Sequence, residues 1–104
     1  MNWQQQVENE LQRIQPNGNA GRTRTIARRA AGIALQQYYS PDSTNFIELI
    51  QKATQDINIP ETVRQAATRL ETRIDDTFNS PSIDPIGDAT LIVEFVKTKL
   101  KDKG

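Results

Sequence analysis

The chain contains no cysteine and no histidine. Those two absences exclude disulfides, thiolate nucleophiles, zinc held by sulfur or imidazole, and imidazole acid–base catalysis. Neither sign of charge is in excess, with 13 Lys and Arg against 13 Asp and Glu. A molecule of zero formal net charge has no strong overall pull towards nucleic acid or an acidic membrane. No apolar run approaches the roughly 20 residues needed to span a bilayer. The first residues lack a basic segment followed by an apolar one, so no secretory signal is read there. A soluble, cytoplasmic protein with no membrane partner is expected, without cofactor or bound metal, and not an enzyme.

What the chain does have is helical periodicity. Leu, Ile, Val and Phe together make up 24 of its 104 residues, enough for one modest core in a single domain. The organising stretch is Gly21 to Tyr39, which has no proline and sets alanines and isoleucines beside paired arginines. At about 100° per residue, Ile26, Ala27, Ala30, Ala31, Ile33, Ala34 and Tyr38 share one broad arc. Arg22, Thr25, Arg29, Gly32 and Gln36 fall opposite, with Arg24 and Arg28 at a flank. So wide an apolar arc implies contact with more than one neighbour. Gly32 costs a helix about 1 kcal/mol relative to Ala, and the sequence shows no reason for it.

Around this spine the pattern predicts helices over about 2–15, 20–39, 43–57, 60–79 and 84–101. The first carries a thin stripe of Trp3, Val7, Leu11 and Ile14, with Gln4, Gln5, Gln6, Glu8, Asn9 and Glu10 facing away. Trp3 is expected to cap the core. Pro16-Asn17-Gly18 breaks the chain, because proline cannot continue a helix and Asn-Gly favours turns. Ser40, Asp42 and Ser43 around Pro41 compete to cap the third helix, whose apolar face is Phe46, Ile47, Leu49, Ile50, Ala53 and Ile57. Pro60-Glu61 starts the fourth, which carries Val63, Ala66, Ala67, Leu70, Ile74 and Phe78. Asp84-Pro85 is an N-cap followed by a first-turn proline. Ile86, Ala89, Ile92, Val93, Val96 and Leu100 point inward on the fifth, and Leu91 and Phe95 widen its face. The fold class is therefore all-α: a single compact bundle of four to five helices with no sheet. The connections are of ordinary length for such bundles.

Charge is distributed unevenly along the neutral chain. Leu11 to Pro41 holds Arg13, Arg22, Arg24, Arg28 and Arg29 and no acid, whereas Leu70 to Thr90 holds Glu71, Asp75, Asp76, Asp84 and Asp88 against Arg73 alone. Three uses of this asymmetry are open. Arg28 or Arg29 pairs internally with Asp75 or Asp76; the basic face of one copy meets the acidic face of another in a homodimer; or the arginines bind nucleic acid or another polyanion. The candidate contact residues are Arg22, Arg24, Arg28 and Arg29, with Glu71, Asp75 and Asp76 as the complementary acidic face. Arg22 and Arg29 diverge from Arg24 and Arg28 by more than a quarter turn, which weakens the polyanion use.

Two local motifs reduce to ordinary structure. Gly18 to Thr25 is glycine-rich and basic and enters a helix, as an anion loop would, but it lacks the GxxxxGK[ST] order and reads as a turn. Glu71 and Asp75 share a helix face while Asp76 is turned away, too few ligands for magnesium. Helical nucleases of the HEPN type pair an arginine with a histidine, which is missing here. All-α nucleotide pyrophosphohydrolases repeat acidic pairs such as ExxE, also missing. The expected function is a non-catalytic protein–protein interaction module or assembly component, partnered by another protein or by itself. The alternative is nucleic-acid or polyanion binding through the arginine-rich second helix.

Overall fold

The computed structural model describes residues 2–13, 20–39, 45–71 and 84–103, with the side chains of 20, 21, 102 and 103 excepted. Among these residues it is an all-α bundle of five helices: α1 (Trp3–Leu11), α2 (Ala20–Tyr39), α3 (Phe46–Gln55), α4 (Glu61–Glu71) and α5 (Pro85–Lys103). No strand occurs among the described residues. No described helix is long and apolar enough to cross a membrane. The Cα radius of gyration is 13.1 Å.

α2 is the spine. It packs most extensively on α5, then on α1 and α3, and touches α4 more lightly, while α4 lies between α3 and α5. Ala27, Ala30, Ala31 and Ala34 are all fully buried, because small side chains let three helices close on the same cylinder. At about 1.5 Å per residue α2 is some 30 Å long, short of the molecule's longest dimension of 43 Å. Burial also runs around α2 further than its expected arc. Gly32 and Leu35 are buried as well, so residues 30–35 form one continuous buried run, while Thr25 and Arg29 stay exposed. Gly32, assigned by periodicity to the outer face, lies under Phe46 of α3. Arg22, Thr25 and Arg29 of the same face are exposed, so the arc construction misses Gly32 alone, where a neighbouring helix covers the wet side locally.

The remaining helices follow their patterns with trimmed ends. α1 stops at Leu11, with a turn at Gln12 and Arg13; Asn2 caps it by accepting from the Gln5 amide at 2.7 Å. Ile14 and Gln15 lie outside the described residues. Val7 is buried, and Trp3 and Leu11 pack on the core from its margin, as the core-capping reading of Trp3 requires.

α3 begins three residues later than predicted. Its cap is Asn45, whose side chain accepts from the amides of Ile47 and Glu48. The expected caps Ser40, Asp42 and Ser43 lie outside the described residues. α3 also ends earlier, at Gln55. Ile57, expected on its apolar face, therefore sits in the α3–α4 turn and is 85% exposed, whereas Ile59, two residues on, is 1% exposed and completes the core.

The first bond of α4 runs from the Arg64 amide to the Pro60 carbonyl at 2.9 Å; residues 72–79 of the expected helix lie outside the described residues. Asp84 caps α5 as predicted, accepting from the Gly87 amide at 3.0 Å. Leu91, expected to widen the buried face, is 44% exposed, while Phe95 does pack on the core margin.

Candidate functional site

The four candidate arginines are spaced at two, four and one along α2, and that spacing sends them to different places. Arg22 is exposed near the start of the helix. Arg24 is only 7% exposed; its stem is covered and it is no part of an open cationic surface. Arg28 is half-buried and its Nε donates to the carbonyl of Leu70, in the last turn of α4 as described. Arg29 Nη2 forms an ion pair with Glu10 Oε1 at 3.1 Å, and Arg13 Nη1 donates to Glu10 Oε2 at 3.3 Å.

Glu10 was expected to face solvent with the rest of its stretch of α1, yet its side chain is 13% exposed, clamped between two guanidinium groups. The four arginines do not converge on one accessible face. On the acidic side, Glu71 Oε1 accepts from Gln51 Nε2 at 3.3 Å, while Asp75 and Asp76 lie outside the described residues, as does their expected pairing with Arg28 or Arg29. Among the described residues, Arg28 bonds the Leu70 carbonyl and Arg29 pairs with Glu10.

Two polar ties were not legible in the sequence. Arg69 of α4 grips Asp88 of α5 with both Nε and Nη2, at 2.7–3.2 Å. The Asp88 side chain is 8% exposed. Hydrogen bonding to this carboxylate raises the Arg69 pKa further above its ordinary value. Nineteen residues separate the pair, so no helical spacing announces it.

The second tie joins the end of α2 to the end of α3. Tyr39 Oη donates to Asp56 Oδ2 at 2.8 Å, and Asp56 Oδ1 accepts from the Asn58 amide at 2.9 Å. That amide bond, with the Tyr39 hydroxyl, holds the Asp56 carboxyl below the usual carboxylate range. Burial and the Asp56 hydrogen bond push the Tyr39 phenol well above its ordinary value. A phenol locked in its protonated form is the reverse of what a general base or nucleophile requires. Tyr38 stacks edge-on against Tyr39 and tilts onto Phe95, and Lys52 sits over the Tyr39 ring.

No cluster of three or more metal-ligating side chains occurs among the described residues. What the surface does offer is a furrow at the junction of α1, α2 and α3. One part, of about 370 Å³, is lined by Thr25, Arg28 and Arg29 of α2 with Asn45, Phe46 and Ile47 of α3. The other, of about 310 Å³, continues past Arg29, Ile33 and Gln36 and meets Gln6, Asn9 and Glu10 of α1. Arg29 and Phe46 line both parts. Ile47 is 40% exposed at the rim.

The sequence puts Phe46 and Ile47 on the apolar face of the third helix, Arg29 opposite the apolar arc of the second and Arg28 at its flank; the fold sets them side by side. The furrow thus sets apolar side chains beside two guanidinium groups. Neither a family model, nor a curated protein, nor a solved structure matches the chain.

Proposed function

We propose that this protein is a non-catalytic interaction module of the cytoplasm, engaging another protein chain through the face where α2 meets the start of α3. The observation that carries this reading is the furrow, in which half-exposed apolar side chains lie beside guanidinium groups. Apolar contact area edged with arginine is the composition of protein–protein interfaces. Acid–base or nucleophilic chemistry has little to draw on: cysteine and histidine are absent, and Tyr39 is held protonated.

Polyanion binding is the weaker reading. It needs several cations on one surface, whereas Arg24 is buried and Arg28 and Arg29 share the furrow with the apolar Phe46 and Ile47.

Two measurements on the purified chain test the choice. Fluorescence anisotropy of labelled single- and double-stranded nucleic acid, from about 50 to 200 mM salt, is expected to show no steeply salt-dependent binding. Tight binding that Arg28→Ala abolishes would overturn the module reading in favour of the polyanion one. In the native extract, chemical cross-linking is expected to join the chain to a protein partner or to itself. Ile47→Asp should abolish that adduct without lowering Tm by more than a few degrees.

A further inference from the structure

We infer that the furrow along α2 takes one acidic amphipathic helix from a partner protein. This rests on the interaction reading above and names the occupant. Of the α2 residues that line it, Thr25, Arg29, Ile33 and Gln36 recur at steps of four, four and three and form one continuous stripe, with Arg28 beside it. From Thr25 to Gln36 the stripe is about 16 Å long, roughly three helical turns. Groove-bound helices bury anchors spaced over such a length.

The chemistry of the furrow selects the character of that helix. Phe46, lying over Gly32, is shared by both parts, with Ile33 buried beside it and Ile47 open at the rim. These side chains accept apolar anchors. Among the described residues, the part next to α3 presents Arg28 and Arg29 and no carboxylate, whereas Glu10 enters only in the part next to α1. The amides of Ile47 and Glu48 at the start of α3 are already bonded to Asn45. Attraction for anions here therefore comes from the guanidinium groups rather than from the helix end. Carboxylates one turn away from an apolar anchor complement this arrangement, and a phosphate backbone leaves the apolar half unmatched. A second copy of the chain would offer Leu91 and Glu94, both exposed on α5. However, Glu94 already has Lys97 beside it at 3.6 Å, which makes that face the poorer match.

The test is an amide-shift titration of the isotopically labelled full chain with a synthetic helical peptide of about sixteen residues. The peptide carries leucines on one face and glutamates beside them, and a twin has lysine in place of every glutamate. Binding of the glutamate peptide is expected to shift the amides of the α2 stripe and of Phe46 and Ile47, at least about tenfold tighter than the lysine twin and more weakly as salt rises. Arg29→Glu should weaken it by about tenfold or more. Because that variant also loses its Glu10 partner, Thr25→Glu, which adds repulsion at an exposed wall position, should weaken binding with Tm unchanged.

Equal binding of the twins, shifts on another face, or no binding of either overturns the inference. If sedimentation then shows self-association that shifts Ile47 and Leu91, the occupant is a second copy and the module reading survives. If the chain instead binds nucleic acid as above, both fall.

Discussion

Phe46 of α3 rests directly on Gly32 of α2, so that a Cβ at position 32 would lie well inside van der Waals contact with the Phe46 Cβ and Cγ. Glycine is what lets these two helices approach so closely. The cost of about 1 kcal/mol that glycine imposes on a helix is offset by the packing of the aromatic ring. Gly32→Ala is therefore expected to destabilise the protein by about 1–3 kcal/mol through overpacking, although alanine is the better helix former. Urea denaturation reads the sign. A stabilised variant would mean that position 32 faces solvent, as its place on the helical wheel suggests.

Arg69 and Asp88 join α4 to α5 through a bidentate contact whose carboxylate is nearly dry and whose guanidinium is 37% exposed. Removing one partner of a fully buried pair costs about 3–5 kcal/mol. Partial exposure lowers the expected loss for Asp88→Ala to about 2 kcal/mol. A double-mutant cycle with Arg69→Met should give a coupling of about 1 kcal/mol or more. Additive losses would show that the geometry is not held in solution.

Tyr39 and Asp56 make stability depend on pH at both extremes. The folded pKa of Asp56 lies below its unfolded value, so its contribution is complete above about pH 4 and is lost as pH falls through the folded value. The folded pKa of Tyr39 lies above its unfolded value. Its contribution is complete below about pH 10 and is lost as pH rises towards the folded value. Thermal melts across pH should show Asp56→Asn with a shallower acid limb and Tyr39→Phe with a shallower alkaline one. Phenolate absorbance in the wild type should show one tyrosine ionising only as the chain unfolds.

Ile57 and Ile59 flank Asn58 in one short turn and should respond oppositely to substitution. Ile59 is fully enclosed, and Ile59→Ala is expected to cost about 2–4 kcal/mol. Ile57→Lys should change stability by no more than about 0.5 kcal/mol, since the side chain is 85% exposed. Comparable losses at the two positions would place Ile57 in a contact absent from this fold.

The elements and their class follow from the sequence because they rest on local rules. Apolar residues at three and four along α3, α4 and α5 specify amphipathic helices, and Pro60, Asp84 and Pro85 mark starts that the structure reproduces at Glu61 and Pro85. The alanine-rich stretch from Ala27 to Ala34 identifies the central helix, because only small side chains admit neighbours on several sides.

Whatever depends on which helix faces which was decided by the tertiary structure. Periodicity gives the direction of a side chain from its own axis but not the identity of its neighbour. Gly32 thus falls on a wet face that Phe46 covers at that one position, and periodicity pairs neither Glu10 with Arg29 and Arg13 nor Arg69 with Asp88. The candidate site shows the same division. The arginines were evident as a charged cluster, but one became buried, one bonded to a backbone carbonyl and one joined a carboxylate of α1. The furrow that two of them share with Phe46 and Ile47 exists only because α3 crosses α2 at Gly32. That crossing is set by shape and close packing between segments distant in the chain, which no local spacing records.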